Sequence, residues 1–467
     1  MDRIKRLAAI SAYRPGGGQL LHLFEMLNGG MNREEAKIQF NEEGASDEHF
    51  NVLYSNLTGR LMEGILINSF KDCSLFRRRY FKLLKAFTAC KMMIHSGDKM
   101  NGVPEAEKVV RKAIALKMPE LALPLARELE MHFSVTDTVT KKYHKYKELS
   151  IYLQSEVNKE TEAQRLYASL AFAIKRRLSM DEFKNRIKAL LSTEPSDNFL
   201  YNFYLFSTRV LYHWQTDDKI SVLKVCQEAF DFFYKFESPI PHTVRWNFAF
   251  QMIPILVGKK DFGKAEVMTK RCVQMVTEGS YNYHASLIYL ALVGFHSGKP
   301  AIALEAWKLA QSTPKKFKSK EIDERWQLIR SYLELYGMDI PGEFRLYRFL
   351  NSIPTLNADK SRNNVAVIIS HLLHLWKDGK TDTFGDQVKQ LRSYINRHLR
   401  KPGYERPRWF LMMLEKFYES QYHPRRYEPR VKTLWRKIQS TSPNINANVF
   451  STEVIPIEKA WAMVVGE

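Results

Sequence analysis

The densest concentration of chemistry-bearing side chains lies at residues 391–440. Thirteen Lys and Arg residues stand there against four Glu. Tyr404, Trp409, Tyr422, Tyr427 and Trp435 are interleaved with them. Guanidinium groups pair bidentately with phosphate, and exposed rings stack on unpaired bases. Arg397, Arg400, Lys401, Arg406, Arg408, Arg425 and Arg426 are therefore candidate phosphate-binding residues. The plainer account is a solvated basic face. Apolar residues at helical spacing, such as Phe410, Leu414 and Phe417, belong to a core, and the arginines beside them pair with glutamates elsewhere in the fold. Both accounts stand at this stage. Smaller basic clusters are Arg77-Arg78-Arg79, the cation–aromatic alternation Lys141–Lys147, Lys175-Arg176-Arg177 and Lys315-Lys316-Phe317-Lys318.

Patterns that would carry catalysis are missing. Gly16-Gly17-Gly18 is followed by Gln19, without the lysine of a phosphate loop, and neither a G-x-S-x-G elbow nor H-E-x-x-H occurs. His371 and His374 sit at i, i+3 in Ser370-His371-Leu372-Leu373-His374-Leu375. That spacing places both imidazoles near one helical face, where they could share a metal. No carboxylate joins them within the helix, so satisfied, partly buried histidines are the favoured account. Cys73, Cys90, Cys226 and Cys272 form no C-x-x-C pair. Reduced thiols, no disulfide framework and no structural zinc are expected. No catalytic residue, cofactor or metal is expected.

The elements that must position these residues are helices. Apolar residues recur at i, i+3, i+4 and i+7 almost throughout, and Gly and Pro fall between the periodic runs. Residues 19–69 read as a small helical head. Gln19–Leu27 stops at Asn28-Gly29-Gly30, Asn32 precedes Glu35 as a capping box, and Phe50, Leu53, Leu57, Leu61, Ile65 and Phe70 mark one face of a third helix. A helix-turn-helix module is the competing account. The loose turn Asn41–Ser46 disfavours it, so a capping element for a solenoid is preferred.

From about residue 70 the chain reads as helical hairpins. The clearest pair is Trp246–Val257, then Lys260-Asp261-Phe262-Gly263-Lys264-Ala265 opening a second helix to Val276. Ser286–His296, then Gly298-Lys299-Pro300-Ala301-Ile302-Ala303 opening a helix to Gln311, repeats the plan. A small side chain at Ala265 or Ala303 lets the second helix approach the first closely. These segments resemble the tetratricopeptide repeat, whose inter-helix turn reads roughly G-D-Y-x-x-A. Phe262 and Ala265 stand at its aromatic and small positions. The second copy keeps Gly298 and Ala303, with Pro300 at the aromatic position. Weaker echoes occur at Lys117–Ala122, Lys159–Ala163 and Asp217–Ile220. The resemblance implies an all-α fold, an α-α superhelix (a tetratricopeptide-like solenoid), over about residues 80–312. It implies no shared chemistry.

Four segments are expected: 1–70 a head or cap, 71–340 the hairpin solenoid, 341–440 basic helical hairpins, and 441–467 an irregular tail or packed strap. The chain has 467 residues, of which 45% are hydrophobic, with a net charge of +20. That length exceeds one compact core, but a solenoid escapes the limit because each repeat packs on its neighbours. The apolar content excludes a mainly disordered chain. The basic balance favours acidic partners without choosing among them. No targeting segment and no membrane span are read, and a cytoplasmic setting is expected. The leading expectation is a non-enzymatic scaffold binding a protein partner in a concave groove, with Asn247, Gln251, Tyr283 and His284 on its inner face by resemblance. The alternative is an RNA- or DNA-binding regulator using residues 391–440. An enzyme assembled from distant repeats is the third.

Overall fold

The computed structural model describes residues 17–67, 75–137, 140–176, 178–179, 183–235, 242–315, 317–353, 363–400, 403–443 and 452–466. Phe70, Cys73, Arg177, Lys316 and Lys401 lie outside them. The described residues form 21 helices and no strand. None of these helices is long and apolar enough to cross a membrane. The chain divides into two compact units, Met1–Gln154 and Ser155–Glu467.

The first unit opens with α1 (Gly17–Asn28), α2 (Arg33–Glu42) and α3 (Asp47–Ile67). The capping box forms as read: Glu35 N donates to Asn32 Oδ1 at 3.0 Å, and Asn32 N donates to Glu35 Oε2 at 2.9 Å. Leu23, Phe40, Phe50, Leu53 and Leu57 make the core of this head. Next come α4 (Leu75–His95), α5 (Lys99–Ala115) and α6 (Pro119–Thr136), each packed on its neighbour. A Cβ on Gly102 would meet Ile94 at 2.9 Å, so glycine is what lets α5 lie against α4. The division between the units falls within the long helix α7 (Lys141–Arg176).

The second unit continues through α8 (Lys184–Leu191) into consecutive pairs: α9 (Phe199–Gln215) with α10 (Lys219–Tyr234), α11 (His242–Gly258) with α12 (Phe262–Gln274), and α13 (Tyr281–His296) with α14 (Pro300–Ser312). Helix α15 (Lys320–Leu335) is followed by the short α16 (Leu346–Ser352). The pairs α17 (Asn363–Lys377) with α18 (Thr381–His398) and α19 (Glu405–Glu419) with α20 (Pro424–Ser440) complete the series. Every helix from α9 to α15 packs on the next, as do those from α17 to α20, and α15 also packs directly on α17.

One turn closes these pairs repeatedly. After the first helix, the backbone passes through a left-handed residue, and the following N–H returns to the carbonyl five residues back, a Schellman closure. It occurs at Asp218 to His213, Asp261 to Leu256, Lys299 to Gly294, Met338 to Leu333, Lys380 to Leu375 and Tyr422 to Phe417, so it recurs roughly every 40 residues. Gly298, Gly337 and Gly379 occupy the left-handed position at no steric cost, while Asp217 and Lys260 adopt it with a Cβ.

Side-chain hydrogen bonds join successive first helices into a ladder. Trp214 Nε1 (α9) donates to Gln251 Oε1 (α11) at 3.0 Å, and Trp246 Nε1 (α11) to Ser286 Oγ (α13) at 2.9 Å. Trp326 Nε1 (α15) donates to His284 Nδ1 (α13) at 3.3 Å. Between α15 and α17, Tyr332 donates its hydroxyl to the Ala366 carbonyl, Ser331 pairs with Ser370, and His374 Nε2 donates to the Ser331 carbonyl at 3.0 Å. The partners of these rungs lie 34 to 43 residues apart. These rungs pair buried polar atoms whose removal from water would otherwise be costly, although His284 Nε2 has no partner.

The C-terminal segment departs from the irregular tail read above. Ile457–Val465 forms helix α21, closed by Gly466 in the left-handed region, and it packs on α17, α19 and α20. Val454, Ile455, Ile457, Trp461 and Val464 are buried. The nine-residue helix is too short to announce itself by periodicity, and its apolar face only makes sense against a partner surface.

Candidate functional site

The repeat-signature residues do structural work. Ala265 and Ala303 are fully buried where second helices meet first ones. A Cβ on Gly294 would lie 2.8 Å from the Ala303 backbone nitrogen. Gly294 was not singled out in the sequence, because one glycine in an apolar helix carries no local signal. Phe262 is half-buried at the start of α12, and Gly298 makes the left-handed closure.

The expected inner-face residues are placed differently from a groove lining. Tyr283 and His284 are buried, and His284 is engaged by Trp326. The cause is that α13 is covered all round: every residue from Tyr283 to His296 is buried. A helix apolar on all faces is a core helix. Asn247 and Gln251 are half-buried, and Gln251 is the acceptor of the Trp214 rung.

An open groove lies elsewhere, between α10 and α12. It encloses about 760 Å³ and is lined by Ile220, Leu223, Met252, Leu256, Val267 and Met268. Ile220 is 72% exposed and Val267 53%. Lys224, Lys259, Lys264 and Arg271 stand in its lining with Asp261, which Lys264 pairs at 3.0 Å. The sequence did carry a signal here. Ile220 and Val267 are apolar residues off the buried stripe of their own helices.

The basic region separates into four environments. Arg400 and Arg408 line a cleft of about 720 Å³ between α18, α19 and α20, together with Arg392, Lys416, Arg430 and Lys437. Trp409 lines it too, with Lys437 Nζ over its ring at 5.9 Å. Two carboxylates share the cleft. Glu419 is paired by Arg430 at 2.5 Å. Burial pushes the Glu415 carboxyl up; Glu419 adds to this, while Arg392 and Lys416 pull it down. Arg397 instead lines a separate cleft with His371 and His398. Arg425 and Arg426 are exposed at the start of α20.

Arg406 is no surface phosphate ligand. It is 3% exposed, and all five guanidinium donors are engaged. Its Nε and Nη2 hold Glu453 at 3.0 and 2.8 Å, Nη2 also reaches Glu458 at 2.7 Å, and Nη1 bonds the carbonyls of Ile438 and Thr441. Burial opposes the charge, but the two carboxylates outweigh it and hold the guanidinium above its ordinary range. Glu453 also offers its carbonyl to His296 Nε2 at 2.9 Å. One side chain thereby ties α19, α20 and the C-terminal segment together, and the Glu453 backbone extends the tie to α13.

His371 lines the cleft between α17 and α18, while His374 turns to α15. His374 is buried, bonded to the Ser331 carbonyl and held down to about 4 by desolvation. Among the described residues, no group of three or more His, Cys, Asp or Glu side chains could hold a metal ion. Burial raises the thiols of Cys226 and Cys272, which makes them poor nucleophiles. No profile of a known family, no curated protein and no solved structure matches the chain.

Proposed function

We propose that the chain is a non-enzymatic scaffold of tetratricopeptide-like build, its helix pairs stacked as an α-α superhelix, that holds a protein partner. The groove between α10 and α12 carries this reading. An apolar trough with a cationic rim suits an amphipathic helix whose apolar stripe is flanked by acidic residues. Each Leu- or Ile-sized anchor buried there contributes about 1.5–3 kcal/mol. The rim charges select the partner and speed its encounter more than they tighten the complex. The recurrent Schellman closures and the ladder between first helices support the repeat build, since each pair packs on its neighbours. The partner sits between two second helices, because the first-helix residues Tyr283 and His284 are enclosed in the stack.

Capture from the native cell, with and without nuclease, tests this. The unaltered chain should retain a nuclease-resistant protein. Ile220→Asp with Val267→Asp alters two exposed side chains and should lose it while keeping helical content and melting temperature. The same proteins captured by both chains, or all of them released by nuclease, would refute the scaffold reading.

A further inference from the structure

We infer that the basic cleft between α18, α19 and α20 is a binding site for single-stranded nucleic acid. This inference stands on observations separate from the α10–α12 groove. Six cations line the cleft, five from α18, α19 and α20 and Arg400 from just past the end of α18: Arg392, Arg400, Arg408, Lys416, Arg430 and Lys437. Among the described residues, Arg392, Arg408 and Lys416 have no carboxylate within ion-pair distance, although Arg408 and Lys416 are half-buried. Glu415 lies near enough to Arg392 and Lys416 to feel their charge but forms no ion pair with either, so these donors stay open to an incoming phosphate, which pairs more strongly with them. Of the two carboxylates present, Glu419 is already neutralised by Arg430.

The field does not stop at the cleft. Helix α20 buries Tyr427, Val431, Leu434 and Ile438 at spacings of three and four, which turns Arg425, Arg426, Lys432 and Arg436 outward. At 1.5 Å per residue, Arg425 to Arg436 carry this positive edge over about 16 Å of α20. A compact anion would use only the cleft, whereas a strand of evenly spaced phosphates uses both. Trp409 supplies the second element, a half-buried ring in the cleft wall under Lys437 Nζ, on which an unpaired base can stack as Lys437 turns to its phosphate. A duplex keeps its bases stacked on each other and leaves that ring unused. Arg397, in a separate cleft with His371 and His398, is a built-in control on the same helix as Arg392.

The test is fluorescence anisotropy with labelled oligothymidylate and oligouridylate of about 16 nucleotides, using the full chain. Binding should be strong near 50 mM salt and weaken steeply toward about 200 mM. Arg408→Glu with Lys416→Glu should lower affinity about a hundredfold at low salt and reduce the log–log salt slope by about 1.4. Trp409→Ala should lower affinity roughly tenfold while Trp409→Phe keeps most of it. The Phe variant preserves packing, so a fold defect in the Ala variant cannot be mistaken for lost stacking. Arg397→Glu should leave binding unchanged. Absence of binding at low salt would overturn the inference. So would equal affinity for polyglutamate of matched length, or indifference to the Arg408/Lys416 reversal. Failure here leaves the protein-capture result untouched, because the two sites share no residue.

Discussion

Between α13 and α15 the buried polar contact is neutral, an indole N–H of Trp326 on His284, whereas between α19 and the C-terminal segment it is a guanidinium held by two carboxylates. His284, Trp326, Arg406 and Glu453 are all buried, while Glu458 stays 34% exposed. The neutral rungs need little desolvation and recur along the stack, so each junction is held modestly and alike. The Arg406 cluster takes full charges out of water, a cost that only complete pairing offsets. Repeated junctions thus use inexpensive polar pairs, and a single closure uses an expensive one. A buried ion pair fixes which surfaces meet because no other arrangement satisfies it.

Breaking the charged closure should give the largest effect. Arg406→Met strands Glu453 and Glu458, and should cost about 3–5 kcal/mol. Arg406→Met combined with Glu453→Leu should cost far less, because no full charge then loses its partner at Glu453. Urea titration followed by tryptophan fluorescence reads this cleanly, since all eight Trp lie in the second unit. Equal losses in the single and double variants would erase the distinction between the two regions.

Acid should attack the neutral ladder next. The folded His374 titrates near 4 against 6.5 when unfolded, because desolvation disfavours its charged form. Asp378 and the Ser331 carbonyl oppose that shift, and Lys377 and His371 assist it. Between those values the unfolded chain binds the extra proton, so stability rises with pH there. The contribution is complete above 6.5 and lost as pH falls toward 4, amounting to about 3 kcal/mol. Burial lowers His284, His296 and His371 in the same direction. Denaturation midpoints across this window should fall for the unaltered chain and fall less for His374→Gln. A flat profile would remove His374 from the ladder.

The smallest effect sharpens what a neutral rung contributes. Trp326→Phe leaves His284 Nδ1 buried without its donor and should cost about 1–2 kcal/mol. Ser331→Ala with Ser370→Ala removes both partners and should be nearly neutral by comparison. Thermal melts resolve the pair, and a large loss in the double serine variant would show that the hydroxyls carry more than their mutual bond.

Much of the fold was legible because the hairpin grammar is local. Gly298 and Gly379 announce their closures, and Ala265 and Ala303 sit where a close approach requires small residues. The closures at Asp217 and Lys260 are less visible, because non-glycine residues fill the left-handed position. The candidate groove was misplaced at Tyr283 and His284, although the composition of α13, apolar on every face, already argues for a core helix. Arg406 could not be told from Arg408 within one basic run. What separates them is Glu453, 47 residues further on, whose pairing no periodicity records. Arg400 and Arg408 do share a cleft, but Arg392, Lys416, Arg430 and Lys437 join it only through the packing of three helices.

The Arg406 closure also sets an order of assembly. Its counter-charge is synthesised 47 residues later, a delay on the order of seconds at typical elongation rates. Through that interval Arg406 lacks the carboxylates that hold it, while α19 and α20 can already pack on each other. The clasp around Arg406 is completed by residues made after the helices it holds.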